Sequence, residues 1–342
     1  MSLATSPKLR RLQEALYTKA KQEPAYRFFE ADLEPTAYGY RPGRTALEAV
    51  QEVHRAMCAG HTEVIEGDGS NYLDTIPHAD LLKSLARRIS DRKMLRVLKR
   101  WLKAPVAERT TGGGWRFSGG QRARRGTPQG GVVSPLLANI YMNGYLKVFR
   151  LRGLDRRYGA RLVNYADDFV VLCRRGGAAE VLAQSRRWFT QMGLMLNEQK
   201  TRVCDGRREA FSFLGYTFGP MRYRKDGHWY LGAAPAKKAV QRVKGRIRQI
   251  LRPGNPGPWG AVKEELNRVV RGWANYFSHG TRSLAYRAVD HYVSDRVRHV
   301  LRRRHKVPSR GTKRYPAERI FGELGVFQLR RFQFARPAHA RV

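Results

Sequence analysis

Two adjacent carboxylates, Asp167 and Asp168, follow Tyr165 and Ala166 inside an apolar stretch, with Leu162 and Val163 before them and Phe169 to Leu172 after. Burying a carboxylate without a cation or a hydrogen-bond network to offset its desolvation is costly. Most Asp-Asp pairs sit in solvated turns, but the apolar flanks here weigh against that and predict a buried β-hairpin with the acids at its turn. Asp68 adds a third carboxylate after a predicted strand, Thr62 to Glu66, that runs into Gly67-Asp68-Gly69. Three carboxylates converging from adjacent strands would hold two Mg²⁺ ions through oxygen ligands. Two such ions can activate a 3′-hydroxyl and stabilise a departing pyrophosphate.

Acids so placed need a sheet and helices to hold them. Leu47, Val50, Val53 and Met57 recur at helical spacing between Thr45 and Ala59. Two more helices are expected, one from Ala79 to Ile89 and one carrying Met94, Val97, Leu98, Trp101 and Leu102 on one face. Ser134-Pro135 reads as a helix start, with a hydroxyl N-cap and proline at the first helical position. A helix from Ala178 to Met192 and strands around Leu194 and Phe213 follow. Helices alternating with strands point to an α/β or α+β sheet region. Residues 110–127, rich in Gly and Arg, read as a basic loop, and PGNPGPWG at 253–260 as a turn between helices of a basic, helical remainder.

The chain has 342 residues and a net charge of +38, from 66 Lys or Arg against 28 Asp or Glu. Residues 221–342 alone hold 29 basic and 7 acidic side chains. With 42% hydrophobic residues this is a folded protein rather than a basic tail, and the charge makes nucleic acid the default partner. An acidic membrane surface is the weaker alternative, since no apolar run is long enough to span a membrane and no polybasic amphipathic helix stands out, so no membrane partner is expected. The three cysteines, Cys58, Cys173 and Cys204, are far apart and form no CxxC pair. That spacing argues against a disulfide framework or structural zinc and for a reduced, cytoplasmic setting.

Several longer segments together resemble the reverse transcriptase/maturase proteins encoded by bacterial group II introns. They are YGYRPGRTALEAV (38–50), DGSNYLDTIPHADLL (68–82), RRGTPQGGVVSPLLANIYMN (124–143), NYADDFVVLCRR (164–175), GLMLNEQKTRV (193–203) and FLGYTF (213–218). LNRVVRGWANYFSHGT (266–281) is similar to that family's maturase-specific region. The resemblance implies an α+β fold: a right-hand polymerase palm, built as an antiparallel sheet with packed helices, followed by a helical thumb/maturase domain. It divides the chain into an N-terminal helical remnant (1–28), a palm with incomplete fingers (29–233) and an RNA-binding thumb (234–342).

Carried across by position, the resemblance makes Asp68, Asp167 and Asp168 the catalytic, Mg²⁺-holding acids, with a backbone carbonyl from Gly69. Leu73, Gln129, Gly130, Tyr165 and Lys200 fall where the family contacts template and nucleotide. Arg41 and Arg44 are expected on template phosphates, and Arg271, Asn275, Arg302, Arg303 and Arg304 on RNA; a solvated surface charge is the competing reading for each arginine. Trp273, Tyr276 and Phe277 are expected in the core. The implied partners are structured intron RNA, an RNA template, a DNA primer and dNTPs.

Four departures from the family stand out. LYTKAKQEP and FFEADLEP meet at Arg27-Phe28, where the family has a fingers block that clamps the triphosphate. Leu73 stands where the family has an aromatic that excludes the ribose 2′-hydroxyl. Gly67 and Gly69 replace larger neighbours of Asp68, which predicts a less rigid strand end. No C-terminal Cys/His cluster implies no appended HNH endonuclease. RNA-directed DNA synthesis is the leading expectation, and an intron-RNA-binding derivative that no longer polymerises is the alternative.

Overall fold

A computed structural model describes residues 29–69, 71–109, 113–127, 133–223 and 226–332. The expectations placed on residues 1–28, Gln129 and Gly130 lie outside these. The chain divides into two compact units, residues 1–206 and 207–342. The strand at Phe213, read from the sequence as part of the first region, therefore belongs to the second unit.

In the first unit, Thr45 and Glu48 form a capping box that starts helix α1 (Ala46–Cys58): Thr45 Oγ1 accepts from Glu48 N, and Glu48 Oε2 from Thr45 N. Strand β1 (Glu63–Asp68) and the short helices α2 (Tyr72–Thr75) and α3 (His78–Ala86) follow. Helix α4 (Arg92–Leu102) is capped by Asp91. The Gly- and Arg-rich segment expected as a loop instead contains strand β3 (Trp115–Gly119), paired with β2 (Pro105–Arg109) just before the segment. Ser134 and Pro135 are the first residues of α5 (Ser134–Leu151), with Val133 as N-cap in place of the expected Ser134. Then come α6 (Leu154–Arg157), the expected hairpin β4 (Arg161–Tyr165) and β5 (Asp168–Cys173), α7 (Ala178–Gln191) and β6 (Arg202–Asp205). The segment around Leu194 is not a strand.

The four main strands form one antiparallel sheet in the order β4-β5-β1-β6. Alternation puts Ile65, Gly67, Phe169 and Val171 on one face and Val64, Glu66, Asp68, Asp168 and Val170 on the other. The first face packs on α5, whose Leu137, Tyr141, Tyr145 and Phe149 are buried. Ring centroids of Tyr145 lie 5.6 Å from Phe169 and 4.9 Å from Phe189. Gly67 is part of this packing. A Cβ there would sit 2.2 Å from Phe169 Cζ, so the glycine seats a buried ring and the strand end is braced rather than loose.

The second unit opens with a three-stranded antiparallel sheet, β7 (Phe211–Phe213), β8 (Tyr216–Arg222) and β9 (Trp229–Pro235). Helices α8 (Lys237–Ile250), α9 (Trp259–Tyr276) and α10 (Ser283–Arg304) then pack through Val243, Ile247, Leu266, Val270, Val289, Val293 and Val297 at helical spacing. The turn expected at 253–260 joins α8 to α9. As expected, Phe277 is buried and Trp273 packs on this core. A short helix, α11 (Ala317–Phe321), leads to a 3₁₀ turn at Leu329–Arg331.

Asp290, 1% exposed, pins that turn by accepting from Leu329 N at 2.8 Å and Arg330 N at 3.1 Å. Burial raises its carboxyl pKa, and these hydrogen bonds pull the other way. Asp290→Ala strands two backbone donors, one of them deeply buried, and is expected to destabilise this unit by about 2–4 kcal/mol in urea unfolding. An unchanged midpoint would mean the turn is held by other contacts.

The three cysteines form no disulfide. Among the described residues no helix is long and apolar enough to cross a membrane.

Candidate active site

Asp68 ends β1 and Asp168 begins β5, and the two are direct cross-strand partners. Gly69 N donates to the Asp167 carbonyl at 3.2 Å, which makes the next residues along, Asp68 and Asp168, a non-hydrogen-bonded pair. Side chains at such a pair share a face and approach closely. Asp167 is exposed in the two-residue hairpin loop, whose first residue, Ala166, has φ 59°. Positive φ at that position matches the twist of a tight hairpin.

The crowding of these acids has an electrostatic signature. Burial, then the charges of Asp167 and Asp68, push the Asp168 carboxyl up to about 6, against a smaller downward pull from Lys200. Lys200 Nζ lies 2.7 Å from Asp68 Oδ2. The lysine arrives there because the turn carrying it is stitched to β1: Asn197 N donates to Asp68 O at 2.9 Å, and Leu196 bridges Gly69. Tyr165 faces Asp168 across the hairpin, and its ring lies 6.4 Å from that of Tyr40.

A second set of contacts braces the hairpin turn, through Gly39, Asn139, Asn143 and Asn164, none of which the sequence marks as a site residue. Asn139 and Asn143 stand one turn apart on α5. Asn139 Nδ2 donates to Gly39 O at 2.6 Å, while Asn143 holds Glu34 N at 2.9 Å and Asp32 O at 2.8 Å. The segment so held runs beside β4, with Tyr38 N bonding Asn164 O and Asn164 N bonding Thr36 O. Asn164 Nδ2 reaches around the turn to the carbonyls of Ala166 and Asp168. Gly39 lies so close that a Cβ would meet Ala166 N at 2.5 Å. The available signal is two asparagines at i, i+4 in a run, 135–146, that holds no charged residue.

Other expected site residues fall differently. Arg41 is turned inward, with its side chain 6% exposed: its donors go to Glu30 Oε1 and to the carbonyls of Glu34 and Ala37. It clasps this segment and has no guanidinium edge left for a template phosphate. Arg44 is exposed, over the ring of Tyr38. Leu73 leans on the core, and its carbonyl accepts from Thr127 N at 2.7 Å. Thr127 Oγ1 also donates to that carbonyl, at 3.3 Å. In the second unit Arg271 and Asn275 are exposed, Arg271 lying over Phe327. Arg303 is exposed, Arg302 half-buried, and Arg304 spends donors on the carbonyls of Asn255 and Gly257, closing the α8–α9 turn. Lys237, Lys238, Arg242 and Arg248 of α8 add four exposed basic side chains to this unit.

Comparison with known proteins agrees with this geometry. Residues 3–218 match the reverse transcriptase (RNA-dependent DNA polymerase) family, and residues 240–316 the group II intron maturase-specific domain. The chain belongs to the reverse transcriptase family, in its group II intron branch. This reverse transcriptase is similar to protein YkfC of Escherichia coli K12, with 30% identity over 245 residues that cover 62% of each chain. It is also similar to the group II intron-encoded protein LtrA of Lactococcus lactis, with 34% identity over 115 residues, 34% of this chain and 18% of LtrA. The matches thus span less than two thirds of either relative. Among solved structures, apo telomerase from Candida tropicalis overlays with a TM-score of 0.46 at 10% identity, covering 79% of this chain and 49% of that one.

Polymerases of this family typically use divalent metal ions. Among the described residues no three His, Cys, Asp or Glu side chains form a ready cage, and the Lys200 ammonium pairs with Asp68. The donor set nonetheless suits a hard cation. Asp68 and Asp168 share a face, and the burial and repulsion that raise the Asp168 pKa are both offset by a bound cation.

Proposed function

We propose that this reverse transcriptase copies an RNA template into DNA by nucleotidyl transfer and binds structured intron RNA through its second unit. The observation that supports the first part most directly is the cross-strand pairing of Asp68 with Asp168 beside the exposed Asp167 turn. On this reading Asp68, Asp167 and Asp168 hold two Mg²⁺ ions, with the Gly69 carbonyl as an added ligand. Bound there, such ions would lower the pKa of a primer 3′-hydroxyl and would offset the charge of the leaving pyrophosphate. The residues around them orient the reactants. Lys200 carries a positive charge beside Asp68, suited to an incoming triphosphate. Tyr165 and the strap through Gly39 fix the turn, and Gln129 and Gly130 are read as template contacts from the resemblance alone.

The second part rests on charge. Exposed α8 residues Lys237, Lys238, Arg242 and Arg248, with Arg271, Asn275 and Arg303, suit phosphate contacts that dominate RNA affinity and its salt dependence.

The test is extension of a DNA primer on an RNA template with Mg²⁺ and dNTPs, read beside RNA affinity. Wild-type protein should extend the primer. Asp167→Asn should abolish extension and leave RNA binding unchanged or slightly stronger, because the acids add no attraction for RNA. Folded wild-type protein that binds RNA but makes no DNA would support the RNA-binding alternative, and extension by Asp167→Asn would overturn the catalytic assignment.

Leu73 gives a further expectation. A leucine is smaller and less planar than an aromatic at the position that screens the ribose 2′-hydroxyl. Wild type should therefore discriminate weakly between dNTPs and rNTPs, and Leu73→Phe should improve selection of dNTPs about 10- to 100-fold. Equal, strong selection by both proteins would remove Leu73 from that role.

A further inference from the structure

At the far end of the palm sheet from the acids, where β4 begins and β5 ends, lies a cavity of about 520 Å³. It is about 20 Å along the strands from the hairpin turn. Three separate segments contribute Arg156 and Arg157, Arg161, and Arg174 and Arg175 to its lining. All five arginines are exposed, and among the described residues none has a carboxylate within ion-pair distance. Five like charges around one cavity repel, and an anion relieves that repulsion.

The framework of the cavity is built rather than accidental. Gly159, with φ 54°, leaves room for the Arg174 stem, which would lie 3.1 Å from a Cβ there. Gly177 admits Tyr158, which would lie 2.9 Å from its Cβ. His61 also lines the site, with Nδ1 committed to the Ala56 carbonyl. The backbone amides at the start of α7 are already taken: Glu63 accepts from Gly176 N at 2.7 Å and Ala178 N at 3.2 Å. Binding there falls to the guanidiniums. Asp155 is the opposing charge in the lining, and it also acts on Arg150.

The chemistry selects the occupant. A small apolar ligand finds little here, since such sites are lined by hydrophobic side chains. Arg157 lies over one face of the Tyr158 ring at 5.4 Å, which leaves a nucleobase at most the other. Forked guanidiniums match phosphate oxygens. We propose that this arginine-lined cavity is a docking site for backbone phosphates of a structured RNA, distinct from the acids. It rests on the reading that the chain binds RNA.

The experiment compares full-length wild type with Arg157→Gln/Arg174→Gln/Arg175→Gln and with the matching triple Lys variant. A fluorescein-labelled RNA hairpin is titrated across a range of salt, with inorganic phosphate as competitor. The triple Gln variant should bind about tenfold or more weakly at moderate salt, with a log K against log [salt] slope shallower by roughly 1.5–2, the value for two lost phosphate contacts. The triple Lys variant should keep the wild-type slope. An unchanged slope in the Gln variant, with tight wild-type binding, overturns the proposal alone. Tight inorganic phosphate binding that depends on the three arginines but leaves RNA affinity unaffected also overturns it, assigning the cavity to free phosphate. Absence of RNA binding by wild type overturns it together with the reading it rests on.

Discussion

Asp168→Asn is expected to lower DNA synthesis by about 10³-fold, roughly 4 kcal/mol of transition-state stabilisation. The same change should raise resistance to urea by about 1 kcal/mol in metal-free buffer, because it removes one of three crowded negative charges from a half-buried position. Opposite signs for activity and stability set this apart from ordinary damage to the fold. The cause is the pairing across β1 and β5, which places Asp168 against Asp68 with Asp167 next in sequence. Single-turnover extension and chemical unfolding on the same preparation check both halves. Loss of activity with loss of stability would mean the residue is a structural acid.

Gly39→Ala should be nearly as damaging to synthesis although Gly39 carries no chemistry. Its Cβ would meet Ala166 N at 2.5 Å and the Tyr165 carbonyl carbon at 3.1 Å, both backbone atoms that cannot rotate aside. Either the strap leaves β4 or the turn bearing Asp167 moves. The expected cost is about 3 kcal/mol in stability. The drop in extension should persist below the unfolding transition, since a misplaced turn fails even in folded molecules. Gly245→Ala is the control. It sits inside α8 with open space at its Cβ, and alanine there should stabilise by up to about 1 kcal/mol. A mild Gly39→Ala would show that the turn tolerates displacement.

The hairpin was legible because its signal is local: apolar runs on both sides of a polar pair fix period, turn and face together. Helix α1 was legible for the same reason, from four apolar positions at helical spacing and Thr45 placed to cap it. Residues whose role is set by distant partners were not. Arg41 looks like any exposed arginine in a Gly- and Pro-rich loop, and only the fold shows three acceptors closing around it. Gly67 looked like a weakness next to Asp68 because Phe169, its filler, lies on another strand. The β2–β3 hairpin was hidden by glycines that read as loop. Arg304 sits in a basic run that suggests solvent, yet it serves the carbonyls of a turn almost fifty residues earlier.

The strap through Gly39 also bears on how the molecule is made. Gly39 and Ala166 are 127 residues apart in the chain, and Asp32 waits for Asn143 across 111. Contacts of such separation slow folding, because the intervening loop must close before they contribute. At ribosomal rates of 5–20 residues per second, the strap emerges roughly 6–25 s before the hairpin it braces. During that interval its peptide groups have water or a chaperone as partners, and β1 has neither β5 nor β6 beside it. The acid-bearing end of the sheet is therefore among the last parts of the first unit to be completed at the ribosome, while α1, closed by contacts within a few residues, can form early.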